Sequence, residues 1–253
     1  PEGAFSIDGE VLNVASPAAD ATAGAVRRLL EAAVLASDAR LLQDGPQGAW
    51  AIRGDPTEGA LVVAAAKAGL HKHELDRSLP RVHEIPFSSE SKRMTTLHAD
   101  ADGVVACSKG APELLLASCV DELTPDGHRV LDEAGRERVL EAARRMAGDA
   151  LRILAVATRR DASPEEAEDS LTLLGLVGMF DPPRPEARAA IETCERAGIR
   201  VVMITGDHPL TAEAIARELG LLKSGRVLTG AELHDLDDEG TRRDEVGEDV
   251  DAA

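Results

Sequence analysis

The sequence predicts two folds in series: an α+β part with an antiparallel sheet flanked by helices, then a shorter α/β part. Three observations carry this. Residues 86–113 hold two β-prone runs around an Asp- and Gly-bearing turn at 100–103, the pattern of a hairpin. Stretches at 18–39, 56–68 and 132–146 repeat apolar residues at helical spacing. From Leu171 onward, continuous apolar runs at 171–180 and 199–204 alternate with helical stretches at 185–197 and 209–219, as buried parallel strands do.

Taken in order, residues 5–14 are short and alternating, a strand or an extended lead-in. Val26, Leu29, Leu30, Val34 and Leu35 then mark the apolar face of the first helix. Residues 50–53 read as a short strand. Asp55 can cap the next helix, Pro56 suits its first position, and Glu58 stands where a capping-box carboxylate reaches back. His71 and His73 follow that helix with no third ligand nearby, so no metal site is expected. After the hairpin come a short helix at 113–119, a turn region at 123–129 and the helix at 132–146. Residues 152–158 form a buried strand opened by Arg152. The acidic stretch 161–169 is the best linker candidate. The expected division is therefore 1–170, 171–230 and an acidic tail at 231–253 with the composition of a disordered segment.

Composition narrows the function classes. Hydrophobic residues make up 43% and charged residues 29%, a soluble globular balance, while aromatics at 2% leave the core to Ala, Val, Leu and Ile. A net charge of −18 argues against nucleic acid, whose phosphates demand clustered Lys and Arg. The 3 cysteines show no CxxC spacing, which indicates free thiols in a reducing compartment. The longest apolar run, 171–180, is half the ~20 residues of a membrane helix. The opening on Pro1 reads as a piece of something longer.

The hairpin would bring Phe87, Lys92 and Lys109 together, and a π-face beside two ammonium groups suits a purine nucleotide. Gly110 would let the backbone approach such a ligand. Phe87 could equally be a core residue at a strand end, and Glu58 could serve its helix alone or accept from an adenine amino group. Arg152 is either solvated or aimed at phosphates. In the α/β part, Asp181 and Asp207 fall at the carboxyl ends of strands, where ligand chemistry collects.

Six segments occur together: Gly54-Asp55-Pro56-Thr57-Glu58, Pro86-Phe87-Ser88 with Lys92, Lys109-Gly110-Ala111-Pro112, Arg152 in its strand, Gly178-Met179-Phe180-Asp181-Pro182-Pro183-Arg184 and Met203-Ile204-Thr205-Gly206-Asp207. In this order and spacing the chain resembles the P-type cation-transporting ATPases, close to their calcium-pump-like branch, over roughly residues 1–230. The resemblance implies a nucleotide-binding domain followed by part of a dehalogenase-like (Rossmann-like) phosphorylation domain, at the cytoplasmic face of a membrane protein. It implies ATP as ligand, with Phe87 stacking on adenine, Glu58 at the base edge, Lys92, Lys109 and Gly110 lining the pocket, and Arg152 at the phosphates. Asp181, Pro182, Pro183 and Arg184 would form an interdomain hinge, and Thr205, Gly206 and Asp207 would approach the γ-phosphate. Partners would be the phosphorylation, actuator and membrane domains of the parent pump.

Departures qualify this. Ser89 stands where relatives often carry Arg. The family's Asp-Lys-Thr-Gly-Thr segment and its Gly-Asp-Gly-x-Asn-Asp magnesium loop are absent from the sequence. Most magnesium ligands are therefore expected outside this chain, which should bind nucleotide without turning it over. The alternative is a stand-alone, non-catalytic nucleotide-binding or regulatory protein. A soluble phosphatase of the dehalogenase class would need an Asp-x-Asp segment followed by Gly-Thr, which is missing.

Overall fold

The computed structural model describes residues 5–7, 10–12, 21–43, 50–180, 186–206, 209–222, 227–230 and 232. The chain divides into two compact units, one of residues 1–140 with 154–177, the other of 141–153 with 178–253.

The first unit opens with an antiparallel pair, β1 (Phe5–Ile7) and β2 (Glu10–Leu12), then helix α1 (Ala21–Leu35). A second antiparallel ribbon follows, β3 (Arg40–Gln43) with β4 (Trp50–Arg53), leading into α2 (Pro56–Lys67) and the short α3 (Lys72–Ser78). Asp55 caps α2 as its sequence indicates, accepting from the Thr57 and Glu58 N–H groups at 2.9 and 3.2 Å, with Pro56 at the first position. The helix stops at Gly69, whose φ of +73° turns the chain so that Leu70 N–H reaches the Ala65 carbonyl.

A seven-stranded mixed sheet carries the rest of this unit. In chain order come β5 (Arg81–Ile85), β6 (Arg93–Asp100), β7 (Gly103–Gly110), α4 (Pro112–Ala117), β8 (Cys119–Thr124), β9 (Gly127–Val130), α5 (Glu133–Gly148), β10 (Leu151–Arg160) and β11 (Leu171–Phe180). Across the sheet the order is β5-β6-β7-β10-β11-β8-β9, antiparallel at β5/β6, β6/β7, β7/β10 and β8/β9 and parallel at β11/β8. The expected hairpin is β6–β7, in register from Arg93↔Gly110 to Asp100↔Gly103.

Strand periodicity sorts side chains onto two faces. Met94, Thr96 and His98 of β6, opposite Lys109, Cys107 and Val105 of β7, lie on the face that meets the end of α1, where Thr96 Oγ1 donates to the Leu35 carbonyl. Thr95 and Leu97, opposite Ser108 and Ala106, lie on the other face. There Leu97 and Ala106 pack against Ala162 and Ala167, and Thr95 Oγ1 donates to Glu168. The acidic stretch 161–169 is thus no free linker. Two buried alanines and the Arg93–Glu168 pair at 2.7 Å fasten it to the sheet.

Further elements depart from the sequence reading. Residues 123–129 belong to a hairpin, β8–β9, because cross-strand pairs such as Glu122↔Arg129 supply what the local pattern did not announce. β3 and α3 were unmarked because they are short and hold few apolar positions. Residues 199–204 are not in a strand: the run has the side chains of a buried parallel strand, yet Ile199, Val202 and Ile204 are 57, 55 and 85% exposed, and no described strand pairs with it.

Aliphatic packing replaces aromatics throughout. Leu30 and Val34 of α1 close on Val62 and Ala65 of α2, while Leu115, Leu116, Ala155, Ala157, Leu171 and Leu173 fill the space between α4 and the sheet. In the second unit, α6 (Ala187–Arg196) and α7 (Pro209–Leu219) match the expected helices. Ala216 and Leu222 form a small cluster with Met203, Leu221 and Val227.

Candidate functional site

Lys109 is the next-to-last residue of β7 and is only 7% exposed. Its ammonium contacts Glu58 Oε1 at 2.6 Å, donates to the Ala36 carbonyl and lies 3.6 Å from Met94 Sδ. The other Glu58 oxygen, Oε2, accepts from the Asp38 and Ala39 N–H groups at 2.7 and 2.9 Å. The carboxylate that the helix pattern assigns to a reach-back cap therefore ties α2 to the α1–β3 turn and to β7. Burial pushes the Lys109 pKa below the usual lysine value, and the Glu58 contact offsets part of that shift.

Arg81 fixes the same turn from the other side. Its guanidinium donates to the Leu35 and Ser37 carbonyls at 3.2 and 3.1 Å and pairs with Asp38 at 2.7 Å. The turn thus contributes backbone atoms, which leave no signature in side-chain sequence. Arg81, through the turn, and Met94, beside the Lys109 ammonium, are the neighbours that sequence reasoning missed. The clue to Met94 was its place opposite Lys109 in the hairpin.

Phe87 lies in the β5–β6 connection, outside the strand expected for it, and is 62% exposed. The core reading of Phe87 is excluded by that exposure. Ser88 braces the connection: its Oγ accepts from Ser91 N–H at 3.0 Å and its carbonyl accepts from Lys92 N–H at 2.8 Å. Lys92 is exposed and holds a φ of +46° at the entry to β6. Its carbonyl accepts from Ala111 N–H at 3.0 Å, which fastens the loop to the Lys109-Gly110-Ala111 segment. A Cβ on Gly110 would stand 2.6 Å from the Lys92 oxygen and 2.8 Å from Arg93 Cα. Glycine is required there by the approach of β6, whatever else it serves.

The structure thus brings Glu58 into contact with Lys109, and ties Lys92 to the backbone beside Gly110 on the loop that carries Phe87. Arg152 is the second residue of β10, exposed, and belongs to the second unit. Thr205 and Gly206, also in that unit, are exposed. Asp181, Pro182, Pro183, Arg184 and Asp207 lie outside the described residues. Among the described residues no three His, Cys, Asp or Glu side chains gather as a metal site, and no helix is long and apolar enough to cross a membrane.

The aromatic exposure is unusual. Phe87, Trp50 and Phe180, the aromatic side chains described, are 62, 49 and 54% exposed.

The family model for the P-type ATPase cytoplasmic domain N matches residues 25–186. The chain is 46% identical over 220 residues to a probable cation-transporting ATPase F of Mycobacterium tuberculosis, covering 83% of this chain and 24% of that protein. It is 41% identical over 217 residues to calcium-transporting ATPase 1 of Bacillus cereus, covering 84% of this chain and 24% of that protein. A calcium-transporting ATPase of Bacillus subtilis is 44% identical over 200 residues, 76% of this chain and 22% of that protein. The chain spans about a quarter of the length of these relatives.

Proposed function

The chain belongs to the P-type cation-transporting ATPases, with the match centred on their cytoplasmic domain N, and we propose that it is the segment that holds ATP for such a pump. The observation that carries this reading is Phe87, an exposed ring on a braced loop whose far end, Lys92, is bonded to the segment bearing Lys109. Adenine stacks on Phe87 while Lys92 meets the phosphates as a solvent-facing cation. Lys109, already neutralised by Glu58, forms the polar floor beneath them and keeps hydrogen-bonding capacity for the nucleotide. Glu58 accepts from the adenine amino group only by sharing lone pairs with its present donors.

Arg152, in the second unit, supplies a bidentate fork to the phosphate chain. In the parent pump, ATP held here passes its γ-phosphoryl group to an aspartate of the Asp-Lys-Thr-Gly-Thr type, a segment this sequence does not contain. Thr205, Gly206 and Asp207 act around that phosphate, and 181–184 serve as the hinge. Of the residues 171–230 expected for a partial dehalogenase-like phosphorylation domain, 171–180 form β11 of the mixed sheet, and 186–230 carry the remainder. The exposed apolar run 199–204 becomes a strand when other parts of that domain pair with it. Magnesium is given no ligands and no step among the residues described. The segment works at the cytoplasmic face, beside the actuator and membrane domains of the parent.

Titration of the chain with ATP, AMP and GTP, read by amide chemical shifts, tests the proposal. Saturable, adenine-preferring binding that perturbs Phe87, Lys92 and Lys109 is the expected result. Phe87→Ala is expected to lose ~1–3 kcal/mol of ATP affinity, the scale of a stacked base, with no change in melting temperature because the ring is exposed. Unchanged affinity in that variant would remove Phe87 from the site.

A further inference from the structure

Apart from Phe87 and Lys109, the β3–β4 ribbon, α2 and α3 surround a cavity of about 510 Å³, within the range of small-molecule sites. Its apolar lining is aliphatic, from Leu41 and Leu42 of β3 and Val62 and Ala66 of α2, with Trp50 beside them. Trp50 and Leu42 keep 49 and 46% of their surface exposed. The polar lining is basic in balance. Arg40, Lys72, His71 and His73 contribute to it, and among the described residues its carboxylate, Asp76, is already held by Lys72 at 3.0 Å.

The second observation is electrostatic. Arg40 also lines a cavity of about 340 Å³ with Arg53, Gly54 and Asp38. Arg40 and Arg53 stand directly opposite one another in the β3–β4 register, and both are exposed. Like charges at directly opposed positions destabilise a strand pair. Among the described residues neither guanidinium has a hydrogen bond or an ion pair, and Asp38 is engaged by Arg81 at 2.7 Å. Among the described residues the carboxylate beside the two arginines is Asp38, already paired with Arg81, so their charges leave a local positive field that an anion would neutralise.

We propose that this cavity binds a small amphipathic anion, a medium-chain carboxylate in chemical class. The hydrocarbon chain lies along Leu41, Leu42 and Val62 against Trp50, and the carboxylate is taken by Arg40, which lines both this cavity and the smaller one, with Arg53 of the smaller cavity opposite it. The residues proposed here differ from Phe87, Lys92 and Lys109, although Asp38 of the smaller cavity belongs to the turn that holds Glu58.

Trp50 is the single tryptophan of the chain, so its emission reads the cavity directly. The test titrates the 253-residue chain with decanoate below its micelle concentration, and with decanol as the uncharged counterpart. A saturable change in Trp50 emission with decanoate is expected, with binding weaker by about tenfold or more in Arg40→Gln and in Arg40→Gln/Arg53→Gln, the scale of a charged hydrogen bond. Decanol is expected to bind correspondingly more weakly, and saturating ATP to leave the decanoate curve in place. Equal affinity for decanol and decanoate would overturn the proposal. So would unchanged affinity in an arginine variant that keeps the parent melting temperature, or displacement of decanoate by ATP. The decanol comparison uses the unaltered chain and decides the matter even if a variant misfolds.

Discussion

Lys109 and Glu58 meet at 2.6 Å with side chains 9 and 13% exposed. Removing one partner of a buried pair leaves the other charge uncompensated and costs ~3–5 kcal/mol. Glu58→Ala is expected to lower the unfolding free energy by about that amount in urea titration; a loss under ~1 kcal/mol would mean that the carboxylate matters only to its own helix. His98 is a second buried group on the same face, with Nδ1 2.9 Å from the Leu79 carbonyl and Nε2 2.8 Å from Thr96 Oγ1. Burial holds its pKa below the usual 6.5, and the nearby Arg81 and Lys72 charges act in the same direction against the Leu79 contact. Below pH ~6.5 the unfolded chain therefore takes up this proton before the folded one, so stability is full at neutral pH and lost on acidification. Urea midpoints measured from pH 7 to 5 should fall, and His98→Gln should flatten the slope. Equal slopes would assign the acid sensitivity to other groups.

At the scale of elements, α2 shows how a local signal and a distant one combine. Asp55 supplies its cap, and Gly54 makes the preceding turn with φ +122° and room for no Cβ, since Ala39 Cα would lie 2.8 Å away. Asp55→Ala is expected to cost about 1 kcal/mol, the usual loss of an N-cap, read as a shift of the urea midpoint at constant slope. A cost as large as that of Glu58→Ala would imply that the cap also positions the Glu58–Lys109 contact. The β6–β7 hairpin holds the complementary lesson. Its turn and alternation were legible because both are local, whereas the location of Phe87 was not. The β5–β6 connection depends on β5 pairing with β6, which no pattern near Phe87 announces.

At the scale of the molecule, all 7 strands of the mixed sheet lie between Arg81 and Phe180. Among the described residues none after Phe180 contributes a strand to it, while residues 199–204 expose apolar side chains to water. A chain ended after Phe180 is therefore expected to retain the far-UV circular dichroism of the sheet and its cooperative urea transition. It should aggregate less, having lost an unpaired β-prone run. Loss of the cooperative transition would show that the helices after 186 support the sheet.

Sequence alone determined what rests on short-range pattern and on residue chemistry. The capped start of α2, the β6–β7 hairpin, the helices α5, α6 and α7, the aliphatic core and the family's motifs all follow from neighbours a few residues apart. Tertiary structure decided the rest, because each of these features needed atoms far apart in the chain. Glu58 became the counter-charge of Lys109 across 51 residues, and Phe87 proved exposed rather than buried. The acidic stretch 161–169 was drawn onto the sheet by Arg93 and Thr95. Residues 199–204, strand-like in every side chain, remained outside any sheet, since a strand exists only where another backbone pairs with it.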